Sequence, residues 1–309
     1  MYEVFERHDI KILKGAIDIH VHAAPDLYAR SLDAIELAKQ AAMAGMRAIV
    51  LKCHFFPTVF MAYLAKKVIS NEIDVFDVFG GIVLNHYVGG LNPYAVEAAI
   101  KAGGKIVWMP TISAENHIKY FEKAKKGTWL LKGKKLKSAK IGISPLSKKG
   151  ELVPEMEEIL NIIADTNTIL ATGHLSAHEI EILVEEAKNL GVKKILINHP
   201  IFSAINMPVE KQKEIAKKGA YMEYVFVAFT PLRYSIHPEE VVKMIKEVGI
   251  ERSIIATDLG QIDNPSPVEG LRTFIQILLE TGLKPNEVRS LVTENPANLL
   301  NIKVRKYEV

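Results

Sequence analysis

The chain has 309 residues, 49% of them hydrophobic and 24% charged, a globular composition that excludes a disordered chain. Lys and Arg number 39 against 36 Asp and Glu, and a net charge of +3 gives no global argument for nucleic-acid binding. One cysteine, Cys53, excludes an internal disulfide framework and fits a reducing compartment. The N-terminal stretch MYEVFERHDIKILKG mixes charge with isolated apolar residues, so no secretory leader is expected there. No run approaches the roughly 18 uninterrupted apolar residues of a membrane span. The expectation is a soluble, cytoplasmic protein acting on a small molecule, with neither nucleic acid nor membrane as partner. Assembly into a homo-oligomer is left open.

In chain order, short Val- and Ile-rich runs recur at Ala16–His22, Ala48–Lys52, Val75–Leu84, Lys105–Met109, Thr168–Thr172, Lys194–Asn198, Ala220–Val227 and Ser253–Thr257. Their lengths and β-branched content favour strands, and their near-continuous apolarity suits strands buried on both faces, as in a parallel sheet under helices. Helix-period segments lie between them. Ser31–Gly45 opens on a Ser cap and stops at glycine, and Ala177–Gly191, Pro238–Gly249 and Pro267–Gly282 end the same way. About eight strand–helix pairs predict a single-domain (β/α)8 TIM barrel over residues 1–309. An open doubly wound sheet is the competitor, but no G-x-G-x-x-G follows the first strand. Ser113–Gly150 breaks the rhythm after the fourth strand with Lys119, Lys123, Lys125, Lys126, Lys132, Lys134, Lys135 and Lys137. It is too long for an ordinary βα loop. It reads either as a lid-like insertion attracting an anionic substrate or as a solvated excursion.

The chemistry concentrates at strand ends. In Ala16-Ile17-Asp18-Ile19-His20-Val21-His22, alternation places Asp18, His20 and His22 on one face. The fifth strand ends in His174, the sixth in His199 and the eighth in Asp258. In a barrel, residues just past the strands meet at the C-terminal mouth, where catalytic groups sit. Converging imidazoles and a carboxylate are a metal-ligand set.

This pattern resembles the amidohydrolase superfamily of metal-dependent hydrolases, in particular a prokaryotic branch containing V-W-M-P-T, G-H-L-S and T-D-L-G-Q strings. The likeness covers nearly the whole chain, including Asn295-Pro296-Ala297-Asn298-Leu299-Leu300 near its end. It implies a barrel without a flanking β-sandwich, with His20, His22, His174, His199 and Asp258 as ligands of one or two Zn2+ ions, or of Mn2+, Fe2+ or Ni2+. Many such enzymes carry a bridging carboxylated lysine or a glutamate at the fourth strand. Here that strand reads Val107-Trp108-Met109-Pro110-Thr111, and Glu115 follows only in the loop. Lys52, on the second strand beside His54, is the substitute, either carboxylated as a metal ligand or cationic toward a substrate acid.

The resemblance implies a hydrolase that activates water on the metal to cleave an amide, lactone or ester, carboxylic or phosphoric, of a small substrate, anionic where the lysine-rich segment acts as a lid. Asp258 would ligate and move the proton, with His199 or His174 completing a second metal position or stabilising the oxyanion. Asp18 would orient a histidine ligand from behind. Arg30, His54, His86, Glu223 and Gln261 are the candidate substrate contacts. The alternative is a mononuclear metal-dependent decarboxylase or hydratase of a small carboxylic acid. Cys53 should face away from the site, and His8, His178 and His237 read as surface residues.

Overall fold

In the computed structural model, which describes residues 7–70, 75–124, 141–231 and 233–304, the apolar runs become short strands. They are β1 (Ile17–Val21), β2 (Ala48–Leu51), β3 (Asp77–Phe79), β4 (Gly81–Val83), β5 (Ile106–Trp108), β6 (Ile169–Ala171), β7 (Ile195–Asn198), β8 (Tyr221–Val225) and β9 (Ser253–Ala256). Every pairing is parallel, in the orders β1-β2-β3 and β4-β5-β6-β7-β8-β9. Beyond the strands, Val21 bridges Leu259, the Asp258 N–H donates to His20 O at 2.8 Å and the His22 N–H donates to Leu259 O at 2.8 Å. These bonds join the ends of β1 and β9, the first and last strands. Most strand residues are fully buried, as expected of a parallel sheet covered by helices.

Two predicted strands differ. The run Val75–Leu84 is divided into β3 and β4, which pair with β2 and β5 respectively. The cause is Gly80, where a Cβ would lie 2.7 Å from the carbonyl carbon and oxygen of Thr58. Thr58 pins this point by donating its N–H to Gly81 O at 2.9 Å and accepting from the Gly81 N–H at 2.9 Å. The run Ala220–Val227 ends as a strand at Val225, and Phe226–Phe229 turns into a 3-10 helix.

The helices follow their patterns with small shifts at the ends. Asp33, not Ser31, caps the helix Ala34–Met43, accepting from the Ile35 and Glu36 N–H groups at 2.8 Å while Glu36 reaches back to the Asp33 N–H at 2.9 Å. Such a cap contributes about 0.5–2 kcal/mol. The helix buries Leu37, Ala38 and Ala41 against the strands. Glu115, expected in a loop, begins the helix Glu115–Ala124 and pairs with Lys119 at 2.5 Å. Ala114 bridges Ile143, so the two described ends of the lysine-rich segment are tied together. Lys125, Lys126, Lys132, Lys134, Lys135 and Lys137 lie outside the described residues. Among the described residues, no helix is long and apolar enough to cross a membrane.

Gly173 links β6 to His174 with φ +58°, and a Cβ there would lie 2.3 Å from Met109 O and 2.5 Å from Pro110 O. The neighbouring backbone has no flexible atom with which to yield. Gly173→Ala is therefore expected to destabilise the chain by more than about 1 kcal/mol, combining a disfavoured φ with the clash. Chemical denaturation of the variant checks this; an unchanged midpoint would mean that the turn accepts a side chain.

Candidate metal centre

His20 lies in β1, and His22 follows its end. Both side chains are buried, and both Nε2 atoms approach the same carboxylate oxygen. Asp258 Oδ1 lies 3.1 Å from His20 Nε2 and 2.9 Å from His22 Nε2. Donor atoms of His20, His22 and Asp258 lie within 4.8 Å of one another, and so do those of His20, His199 and Glu223. His199 and Asp258 have φ of 47° and 53°, the left-handed region that costs a side chain-bearing residue strain. Such strain concentrates at functional sites, where the surroundings over-determine the backbone. His199 sits directly past β7, and Asp258 two residues past β9.

His20 uses both ring nitrogens. Its Nδ1 lies 3.2 and 3.3 Å from the two Glu223 oxygens, and Glu223 also accepts from Asn198 Nδ2 at 2.7 Å. Lys52 Nζ lies 3.0 Å from His20 Nε2 and 5.6 Å from the centre of the Trp108 ring. Trp108 is the last residue of β5, the fourth strand of the predicted barrel, so an indole stands near the position the resemblance assigns to an acidic ligand. His199 Nε2 is 3.9 Å from Asp258 Oδ2 and its Nδ1 is 3.9 Å from Glu223 Oε2. The His174 ring centre is 5.5 Å from that of His199, and its Nδ1 lies 2.9 Å from His117 Nδ1.

Burial decides most protonation states here. It drives His22, His54 and His174 well below the ordinary imidazole range, and His199 down to about 4. Burial and the Lys52 cation also act to lower His20, but Asp258 and Glu223 outweigh them and hold it above its usual value. Burial would raise both carboxyls. His20 and its neighbours prevail instead, holding Asp258 well below the carboxylate range and Glu223 below it. Burial lowers Lys52.

The remaining candidates divide. His54 borders the cluster, its ring centre 5.1 Å from His22, with Nδ1 2.8 Å from Thr111 Oγ1. Arg30 is committed to Asp26, with Nε donating at 2.8 Å, and lies over the Tyr28 ring. Gln261 donates to Asp258 O at 2.9 Å and accepts from Asn264 at 2.8 Å, so its side chain braces the turn after Asp258. His86 is exposed and donates to Ile141 O at 2.8 Å, away from the cluster. Asp18 was expected to orient an imidazole. Instead it accepts from the His20 N–H at 3.1 Å, the Thr257 N–H at 3.1 Å and the Thr257 hydroxyl at 2.6 Å, supporting the backbone of β1 and β9. Burial raises Asp18 to about 7. Cys53 is buried and pushed up to about 12 by that burial, while His8, His178 and His237 are exposed. Two contributors escape the sequence reading. Asn198, beside His199, binds Glu223, and its position as a buried polar residue at a strand end was the available signal. His117 lies in the helix Glu115–Ala124, where no strand register singles it out.

Among solved structures, the chain resembles an amidohydrolase from Pseudomonas aeruginosa with TM-score 0.62 at 15% identity, over 95% of this chain and 97% of that one. It also resembles the phosphotriesterase homology protein from Escherichia coli, solved with phosphate in its active site, with TM-score 0.56 at 15% identity over 93% and 99%. A third likeness is to 2,6-dihydroxybenzoate decarboxylase from Rhizobium, with TM-score 0.52 at 10% identity over 93% and 99%. At these identities the likeness is one of fold, and at that level the expected resemblance to the amidohydrolase superfamily is borne out. No curated protein matches the sequence. A family described as "Family of unknown function (DUF6282)" matches residues 15–223.

Proposed function

The chain belongs to the DUF6282 family, and we propose that it is a metal-dependent hydrolase built on a closed (β/α)8 barrel, β3 and β4 together forming the third of eight strands. The observation that carries this reading is the approach of His20 Nε2 and His22 Nε2 to one Asp258 oxygen, at 3.1 and 2.9 Å. The donor set suits a divalent ion. Two imidazole nitrogens and a carboxylate oxygen converge, and His22 is kept neutral by burial, with its Nε2 directed at Asp258. Nitrogen and oxygen donors favour Zn2+, with Mn2+, Fe2+ and Ni2+ as alternatives.

The two candidate groups share His20, whose ring nitrogens diverge, so one ion cannot use both. Glu223 therefore reads better as the carboxylate that accepts a hydrogen bond from His20 Nδ1–H and leaves Nε2 to the metal. That replaces its candidate role as a substrate contact. Lys52 reads as a ligand once carboxylated, or as a cation set against a substrate acid. His199 and His174 are the residues for a second ion.

When bound, the metal supplies an activated water and polarises the oxygen under attack. Asp258 accepts the proton and passes it to the leaving group. His199 completes the second position or hydrogen-bonds the developing oxyanion. His54, on the rim, faces a small anionic substrate carrying an amide, lactone or ester bond, whereas the Arg30 guanidinium is already paired with Asp26. Within the lysine-rich segment, the helix Glu115–Ala124 reads as a cover at this end, since it brings His117 onto His174.

Trp108 in place of a fourth-strand carboxylate favours a second reading, a mononuclear decarboxylase or hydratase of a small carboxylic acid. Both readings require metal. Protein stripped by a chelator should lose activity across a panel of lactones, amides, phosphoesters and aromatic acids, and regain it with Zn2+ or another divalent ion. Activity indifferent to the chelator would remove the proposal. The product, hydrolysed or decarboxylated, separates the two readings.

A further inference from the structure

We propose that His117 is a positioning residue that accepts a hydrogen bond from His174 Nδ1 and so presents the His174 Nε2 lone pair to the metal centre. This rests on the reading of His174 as a ligand. Two ring nitrogens 2.9 Å apart share one proton, because two N–H groups or two lone pairs at that distance repel. The His117 and His174 residues are only 4% and 9% exposed, so water does not compete for the bond.

The contact is braced on several sides. The ring planes differ by only 22° with centres 4.9 Å apart, so the rings meet nearly edge to edge, as an in-plane N–H···N bond requires. Phe121 packs 4.5 Å from His117, and Phe202 packs 5.2 Å from His174. Asn116, the preceding residue, donates to His174 O at 3.2 Å and to Ala204 O at 2.8 Å. One helix thus grips both the backbone and the ring of His174.

The direction of the bond decides what His174 can do. A neutral imidazole carries one N–H. If His117 donated, the His174 proton would sit on Nε2, and no lone pair would remain there for a metal. If His174 donates, Nε2 is free. Ligating histidines normally give their other N–H to an acceptor, as His20 does toward Glu223 in the reading above. For His174 the acceptor is an imidazole from the helix that opens the lysine-rich segment. That helix and the ligand ring are therefore mechanically coupled.

Nitrogen NMR on protein labelled with 15N-histidine reads this without a substrate. The expected result is a through-hydrogen-bond coupling between the two Nδ1 atoms, with the proton covalently on His174. Zn2+ should then shift His174 Nε2. His117→Phe, which keeps a ring but no acceptor, should need about 10–100-fold more Zn2+ for that shift, the usual cost of losing such a support. His117→Asn, whose amide oxygen can take the place of Nδ1, should titrate near wild type. A proton found on His117 Nδ1, or a His117→Phe titration indistinguishable from wild type, overturns the proposal. Zn2+ that shifts neither His20 nor His22 sinks the metal reading itself, an outcome read on different resonances.

Discussion

Asp258→Asn is expected to lower turnover by about 10²–10⁴-fold, the range for losing a positioned general acid–base group. The amide keeps the size of the carboxyl but cannot accept the proton, and it is a poorer ligand opposite His20 and His22. Turnover and metal content should fall together; turnover within a few-fold of wild type would take Asp258 out of the chemistry. The same variant carries a stability signature. Asp258 is held well below its ordinary value in the folded chain. In metal-free protein its contribution to folding is therefore complete above the ordinary carboxylate range and lost as the pH falls through the depressed value. Melting temperature against pH should fall more shallowly on the acid side for Asp258→Asn than for wild type. Parallel acid limbs would mean that Asp258 is not stabilised by its neighbours.

Lys52→Ala should lower activity by at least about 10–100-fold, the scale of removing a group that supports a metal centre. Lys52 is 1% exposed, lies 3.0 Å from His20 Nε2 and sits over Trp108. Desolvating an ammonium there costs several kcal/mol unless a neighbouring negative charge offsets it. In the metal-free chain Asp258 and Glu223 supply that charge. With a cation beside His20, an uncharged or carboxylated lysine becomes the better state. Short-chain carboxylic acids should rescue Lys52→Ala if Lys52 carries a carboxylate, because a free carboxylate can enter the vacated space. Loss without rescue assigns Lys52 to substrate or to charge balance. Full activity without rescue removes it from the site.

Much of this arrangement is legible in the sequence because parallel strands leave a plain trace. Each run is apolar on both faces, so a polar residue directly after one stands out, as His174, His199 and Asp258 do. The spacing of His20 and His22 needs only the two-residue period of a strand. Other features leave no such trace. Glu223 sits within Tyr221-Met222-Glu223-Tyr224-Val225, where nearly every residue is buried, and alternation cannot say which face is polar. His86 follows β4 closely in sequence, yet it opens the 3-10 turn His86–Val88, which leaves it exposed and bonded to Ile141 O. The positive φ values of His199 and Asp258 arise from tertiary restraint. His117 reaches His174 from a helix 57 positions away, and nothing local marks it.

The most direct measurement is anomalous X-ray diffraction from crystals saturated with Zn2+. A zinc peak is expected about 2.0–2.2 Å from His20 Nε2, His22 Nε2 and an Asp258 oxygen, with Glu223 on His20 Nδ1 and away from the ion. A saturated crystal with no peak between these residues, or with zinc held elsewhere by other ligands, would contradict this metal centre.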